Sequence, residues 1–263
     1  MQLDVRNLSY SYGKNKVLHE VSVEGMTSGQ VVAVIGPNAA GKSTMFRCIA
    51  GLLKCGGDVR IDGVPTSEIP RHVLSQRVAF MPQDNLANAR MTVFEAVLLS
   101  LQVNASWRVS DNDLQRVQLT LAGLGIDHLA LRYLNELSGG QRQMISVAQA
   151  LVRQPEVIIL DEPTNNLDLQ RQLELLDLVR EAAAQRNLLS ILALHDLNLA
   201  ARVADQVVLL HEGRVHAYGT PREVISQEML ASIFGVHAEL HESPDGDPHI
   251  SLVRSVRAHE WRL

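Results

Sequence analysis

The sequence predicts an α/β protein: a mixed, mostly parallel sheet with an antiparallel β edge and an inserted helical subdomain. Three observations carry that expectation. Short runs rich in valine and isoleucine recur without clean alternation, as strands covered on both faces do. Helical patterns separate these runs, which favours parallel pairing. From residue 84 to about 153, helix signals instead follow one another with no convincing strand.

QLDVRNLSYSY and VLHEVSV alternate apolar and polar residues, and read as half-exposed strands of the antiparallel edge. VVAVI, ending at Ile35, is the first buried strand. A glycine-rich loop follows it and opens a helix through STMFRCIAGLL. RVAFM at 77–81 repeats the buried-strand pattern. Thr92 and Glu95 have capping-box spacing ahead of VFEAVLLSLQV. DNDLQRVQLTLAGL and SGGQRQMISVAQALV are amphipathic helical stretches. VIILD at 157–161 and LLSILAL at 188–194 are buried strands, separated by the helical LDLQRQLELLDLVREAAA. Past Phe234, VHAELHESPDGDPHISLV reads as a hairpin turning around Pro244 to Asp247. The expected organisation is a discontinuous core at 1–83 and 154–240, a helical subdomain at 84–153 and a C-terminal tail at 241–263.

The 263 residues suit one large domain or a core with an insertion, and 46% hydrophobic with 20% charged residues is ordinary for a globular protein. A net charge of −5 provides no bulk basic field for a polyanion, so nucleic acid is not an expected partner. Two cysteines, Cys48 and Cys55, form neither a disulfide framework nor a zinc pattern, and read as idle thiols. Asp4 and Arg6 interrupt the start where a signal peptide would be apolar, and no run is long enough to span a membrane. Any membrane association is therefore expected to come through a partner.

GPNAAGKST, Gly36 to Thr44, carries the first chemistry. A strand, a glycine-rich turn and a helix start surround a polyphosphate with backbone N–H groups at the positive helix end. Gly36, Pro37, Asn38, Ala39, Ala40, Gly41, Lys42, Ser43 and Thr44 form that loop. Lys42 is placed to reach the outer phosphates and Ser43 to ligate Mg2+. Ala39 stands where many such loops have glycine; a positive φ there would cost about 1–2 kcal/mol. VIILDEP then delivers Asp161 and Glu162 to a strand end, as a magnesium nucleotide requires. Asp161 would hold the magnesium through its water shell and Glu162 would polarise the attacking water. Taken alone, such a pair is commonly a solvated strand end, and Ser138 ahead of two glycines is commonly a helix N-cap.

The string LSGGQRQ, Leu137 to Gln143, makes the likeness specific. With the phosphate loop and the strand carboxylates, it resembles the ATP-binding subunits of ABC transporters, over roughly residues 2 to 240. The resemblance implies the P-loop NTPase fold of the ABC-type ATPases, with ATP and Mg2+ as ligands. It also implies that Tyr12 stacks on adenine, an aromatic contact that tolerates any base. Gln83, in MPQD, would sense magnesium and the transmembrane partner. His195, in ILALHD, would contact the γ-phosphate and help orient the water. Asp168, in NNLD, would sit at the inter-subunit loop. Ser138, Gly139, Gly140 and Gln141 would face the nucleotide of a second copy, giving a head-to-tail dimer that encloses two ATP molecules. Polytopic permease subunits, and indirectly a substrate-binding protein, are the further partners implied, at the cytoplasmic face of the membrane.

One nucleotide unit without apolar spans suits an importer built from separate polypeptides. HDLNLA, the G-T-P-x-E-V-I turn and the closing FGV are similar to the subunits serving iron-siderophore, haem and cobalamin uptake. Thr220 to Glu223 is also capping-box grammar, so part of that segment is folding signal. Iron chelate is the first choice, with haem or cobalamin as alternatives. The competing reading from another class is a regulatory nucleotide-binding module without turnover; Glu162 and His195 favour the ATPase.

Overall fold

The computed structural model describes residues 1–82, 90–101, 109–243 and 246–256. The chain begins with β1 (Gln2–Tyr12), β2 (Asn15–Thr27) and β3 (Val31–Ile35), which leads into α1 (Lys42–Ile49). β4 (Gly56–Ile61), β5 (Val64–Pro65), α2 (Arg71–Arg77) and β6 (Val78–Met81) follow. Three helices come next, α3 (Val93–Leu101), α4 (Asp111–Gly123) and α5 (Gly139–Leu151). The chain returns through β7 (Val157–Asp161), α6 (Leu169–Arg186), β8 (Leu189–Ala193) and α7 (Leu197–Val203). It closes with β9 (Gln206–His211), β10 (Arg214–Gly219), α8 (Pro221–Val224), α9 (Gln227–Ser232), β11 (Val236–Glu242) and β12 (Pro248–Ser255).

A six-stranded sheet in the order β10-β9-β3-β8-β7-β6 is parallel except at its β10 edge. Its central strands β3, β8 and β7 are buried on both faces, and their side chains divide by parity. Val31, Ala33 and Ile35 enter one apolar cluster with the helices, while Val32 and Val34 enter a second. Ile158 and Leu160 against Val157 and Ile159 divide in the same way. β1 and β2 do not extend this sheet. They form a separate four-stranded antiparallel sheet, β2-β1-β4-β5, whose inner face shares the second cluster with α1. The phosphate-loop helix is thus held between two sheets.

Local chemistry sets the element ends. α1 stops at Ile49, short of the expected LL, because Gly51 turns left-handed at φ 69. Leu52 N–H then bonds to Arg47 O at 2.9 Å and Gly51 N–H to Cys48 O at 3.0 Å, which closes the helix on a glycine. α6 ends similarly at Asn187, φ 53. Thr92 and Glu95 exchange hydrogen bonds, as do Thr220 and Glu223, so both expected capping boxes are present. The start of RVAFM differs, since Arg77 closes α2 rather than opening β6. β4, β5, β9 and β10 add strands that the sequence reading did not name. The expected turn at Pro244 and Asp245 lies outside the described residues, although β11 and β12 pair antiparallel on either side of it. β11 begins at Val236, ahead of the expected tail boundary at 241.

Candidate functional site

The parallel strands end on one side, and β3, β8 and β7 are neighbours in the sheet. Their carboxyl ends therefore release the phosphate loop, His195 and the Asp161–Glu162 pair into one crevice. Register brings the last two together: Asp161 pairs with Ala193, so Glu162 and His195 leave adjacent strands at the same level. His195 Nε2 lies 2.5 Å from Glu162 Oε1. Asn165 Nδ2 donates to the other carboxylate oxygen, Oε2. Glu162 adopts a left-handed backbone, φ 54.

The loop is built on tight backbone approaches. A Cβ on Gly36 would stand 2.0 Å from Leu210 O, and one on Gly41 would stand 2.9 Å from Leu18 Cδ2. Ala39 has φ 63, so it occupies the left-handed conformation with a methyl present. The turn between β9 and β10 braces the loop. Glu212 and Gly213 both have positive φ, as a two-residue hairpin turn demands, and Gly213 N–H donates to Ala40 O at 3.1 Å.

Lys42 is 6% exposed, and its Nζ donates to Gly36 O at 2.7 Å and Pro37 O at 3.1 Å. Burial pushes its pKa down, while the Glu162 and Asp161 carboxylates push it up. Asp161 is 1% exposed. Burial raises its pKa, against a hydrogen bond from the Ser43 hydroxyl; Glu162 adds to the rise, and Arg47 and Lys42 oppose it. Among the described residues, Asp161 Oδ1 is buried without a hydrogen-bond partner. A buried carboxylate oxygen in that condition is costly, and a hard cation ligated by oxygens relieves it. Ser43 and Asp161 therefore fit Mg2+.

Tyr12, Asn38, Ala39, Ala40, Gly41, Lys42, Ser43, Thr44, Glu162 and His195 line one cavity of about 550 Å³. Gly36 and Pro37 support it through the carbonyls that hold Lys42. Tyr12 is 45% exposed at its rim, edge-on to Tyr10 with ring centroids 4.9 Å apart. Ser138, Gly139, Gly140, Gln141 and Asp168 do not line this cavity. Ser138 Oγ accepts from Gln141 N–H at 3.2 Å, and Gln141 Oε1 accepts from Ser138 N–H at 3.0 Å, a capping box that starts α5. That start packs on the loop after Glu162: a Cβ on Gly140 would lie 3.1 Å from Asn166 O. Asp168 caps α6, its Oδ1 accepting from Arg171 N–H at 2.9 Å. Gln83 lies outside the described residues.

The sequence reading passed over four contributors. Asn15 and Val17 complete the cavity wall. Asn165 holds the second oxygen of Glu162; its signal was the polar pair after DEPT. Gln143, 3% exposed on α5, donates through Nε2 to Glu162 O at 3.2 Å, tying the LSGGQ helix to the carboxylate strand.

Comparison with known proteins agrees with this geometry. The family model described as ABC transporter matches residues 18–165, which spans the phosphate loop, LSGGQ and Glu162. An uncharacterized ABC transporter ATP-binding protein of Methanocaldococcus jannaschii is 40% identical over 90% of this chain and 93% of its own length. The hemin import ATP-binding protein HmuV of Plesiomonas shigelloides is 34% identical over 94% of this chain and 100% of its own. Among solved structures, an inward-facing transporter described as metal-chelate type superposes with a TM-score of 0.81 at 26% identity, over 96% of this chain and 97% of that one. No helix among the described residues is long and apolar enough to cross a membrane. The chain belongs to the ABC transporter family, as its ATP-binding, ATP-hydrolysing component.

Proposed function

We propose that this chain drives a membrane importer for iron-siderophore or a related metal chelate, with haem and cobalamin as the neighbouring alternatives. The observation that carries the ATPase assignment is the Glu162–His195 pair facing Lys42 and Ser43 across one cavity. The cargo rests on likeness. Relatives bear names for hemin import and for petrobactin import, the latter 33% identical over 92% of this chain, and a structural neighbour is of metal-chelate type.

In this reading Tyr12 lies against adenine, and the backbone N–H groups at the start of α1 bind the phosphates with Lys42. Ser43 and Asp161 hold Mg2+, which when bound offsets the charge that develops on the transferred phosphoryl oxygens. Glu162 draws the proton of the attacking water, and His195 contacts the γ-phosphate and helps orient that water. Gln83 is assigned the sensing of magnesium and permease. Ser138, Gly139, Gly140, Gln141 and Asp168, set apart from this chain's own cavity, serve the nucleotide of a second copy in a head-to-tail dimer. Closing of that dimer moves permease subunits at the cytoplasmic face, and a substrate-binding protein delivers cargo from the other side. The division into core (1–83, 154–240), helical subdomain (84–153) and tail (241–263) belongs to the same proposal.

Glu162→Gln tests the chemistry. It should keep ATP affinity, accumulate an ATP-bound dimer in size-exclusion chromatography, and lose about 10²–10⁴ in turnover. Unchanged turnover would overturn the role of Glu162 and favour the non-hydrolysing module. Co-reconstitution with the permease in vesicles tests the cargo. ATP-dependent uptake of a ferric siderophore is expected, and uptake of haem or cobalamin alone would reject it.

A further inference from the structure

Cys48 and Cys55 lie away from the nucleotide cavity, and the fold brings them together. Cys48 is near the end of α1, and the left-handed turn at Gly51 reverses the chain so that Cys55, just before β4, returns to it. The two thiols interact, each shifting the ionisation of the other. Both line a second cavity of about 500 Å³, walled by Leu53 and Leu74 and bordered by Lys54, Asp58 and Arg71. Asp58 is already paired with Arg60 at 2.5 Å, which leaves Lys54 and Arg71 as the cations able to favour an anionic visitor.

The two sulfurs are not equivalent. Cys48 is 2% exposed, whereas Cys55 is only half-buried. A negative charge costs more at the deeper sulfur, so the thiolate forms on Cys55 and the Cys48 S–H donates to it. That hydrogen bond outweighs the effect of burial and brings the Cys55 pKa down to about 7, while it and burial push Cys48 up. A nucleophilic sulfur therefore stands in an open cavity whose wall carries a second thiol.

We propose that Cys55 and Cys48 form a redox-active dithiol whose substrates are small anionic disulfides such as glutathione disulfide. The Cys55 thiolate attacks one sulfur of the small disulfide, forming a mixed disulfide and breaking the S–S bond. The released thiolate takes up a proton and leaves as a free thiol. Cys48 then gives its proton to solvent, attacks Cys55 Sγ and expels the second small thiolate, which is protonated in turn. The protein loses two protons and two electrons, and one small disulfide becomes two thiols. The product ties the end of α1, whose start carries Lys42 and Ser43, to the first residue ahead of β4. In a reducing compartment the dithiol persists, and the disulfide forms under oxidative load.

The test is mass spectrometry of the full-length protein incubated with glutathione disulfide at neutral pH. The wild type should lose the mass of two hydrogens and yield a Cys48–Cys55 cross-linked peptide, reversed by a dithiol reductant. Cys48→Ser should stop at a stable glutathione adduct on Cys55, and Cys55→Ser should stay unmodified. Iodoacetamide labelling of the wild type adds a check that needs no variant. Cys55 should be labelled faster than Cys48 by at least about tenfold in the native protein, with half-maximal rate below the ordinary thiol range, and the two should equalise in denaturant. Faster labelling of Cys48, or a wild type that forms neither adduct nor cross-link, would overturn the proposal.

Discussion

Glu162 Oε1 and His195 Nε2 meet at 2.5 Å although each sits just beyond the end of a different parallel strand. Strand register makes the contact, and the Asn165 amide fixes the opposite oxygen of the carboxylate. A carboxylate held at both ends is oriented before any substrate arrives, which is the condition for efficient proton removal. His195→Ala should therefore lower turnover by about 10² while leaving ATP affinity unchanged, since Lys42 and Ser43 are untouched. Phosphate release set against nucleotide titration measures both. A variant that hydrolyses ATP like the wild type would show that the imidazole does not act through Glu162.

Two small residues of the loop respond oppositely to exchange. Ala39 holds φ 63 and faces solvent, so its strain of about 1–2 kcal/mol comes from the backbone alone. Ala39→Gly removes that strain and returns about 0.4–1 kcal/mol of unfolded-state entropy, leaving a net gain near ~1 kcal/mol. Urea unfolding without nucleotide measures it. Native ATP binding should be readily detectable, which makes Ala39 a tolerated variant of an active loop; native binding absent until glycine is introduced would reject that. Gly36→Ala should behave in the reverse sense. Its Cβ would meet the backbone oxygen Leu210 O at 2.0 Å, so the loop must deform, at a cost of about 3 kcal/mol or more.

Asp161 gives stability a pH dependence of unusual sign for a carboxylate. Burial holds its native pKa above the ordinary 3.8. Between those two values the native chain keeps a proton that the unfolded chain has already lost, so stability falls as pH rises through that window. Asp161→Asn removes the titration and should flatten this part of the profile, with higher stability on its neutral side. The same variant should lose the strengthening of nucleotide binding by Mg2+. Denaturant midpoints over the acid-to-neutral range read the first effect and nucleotide titration with and without Mg2+ reads the second. A profile unaltered by the substitution would place the titrating group elsewhere.

The parts of this fold legible in sequence were those with local causes. VVAVI is apolar at every position, and VIILD up to its final Asp161, because both faces are covered, and capping boxes at Thr92 and Thr220 are complete within four residues. Elements stabilised across long sequence separations were harder. QVVLLH and RVHAYG form a hairpin whose cue, Glu212-Gly213, is a weaker turn signal than Asn-Gly, and β4 is too short and polar to stand out until it pairs with β1. The phosphate loop and the carboxylates were legible because their spacing is itself the signal, and the structure brings them into one cavity. Nothing in a linear reading assigns Gln143 to Glu162, since that contact exists only after β7 and α5 have packed.

Gln143 tests whether the LSGGQ helix reports on the carboxylate strand within one chain. Its amide is buried and donates to Glu162 O, one residue beyond the sheet and next to a left-handed φ that something must hold in place. Gln143→Leu keeps the volume and removes the donor, so the backbone at Glu162 loses part of its restraint while the loop and Asp161 stay as they are. Losing a hydrogen bond worth about 1 kcal/mol there should slow turnover roughly tenfold at most, with ATP affinity preserved. A merely structural role would instead lower the denaturation midpoint and leave kcat intact. Measuring both in the same variant separates the two. Equal losses in nucleotide affinity and turnover would mean that Gln143 supports the whole crevice rather than positioning Glu162.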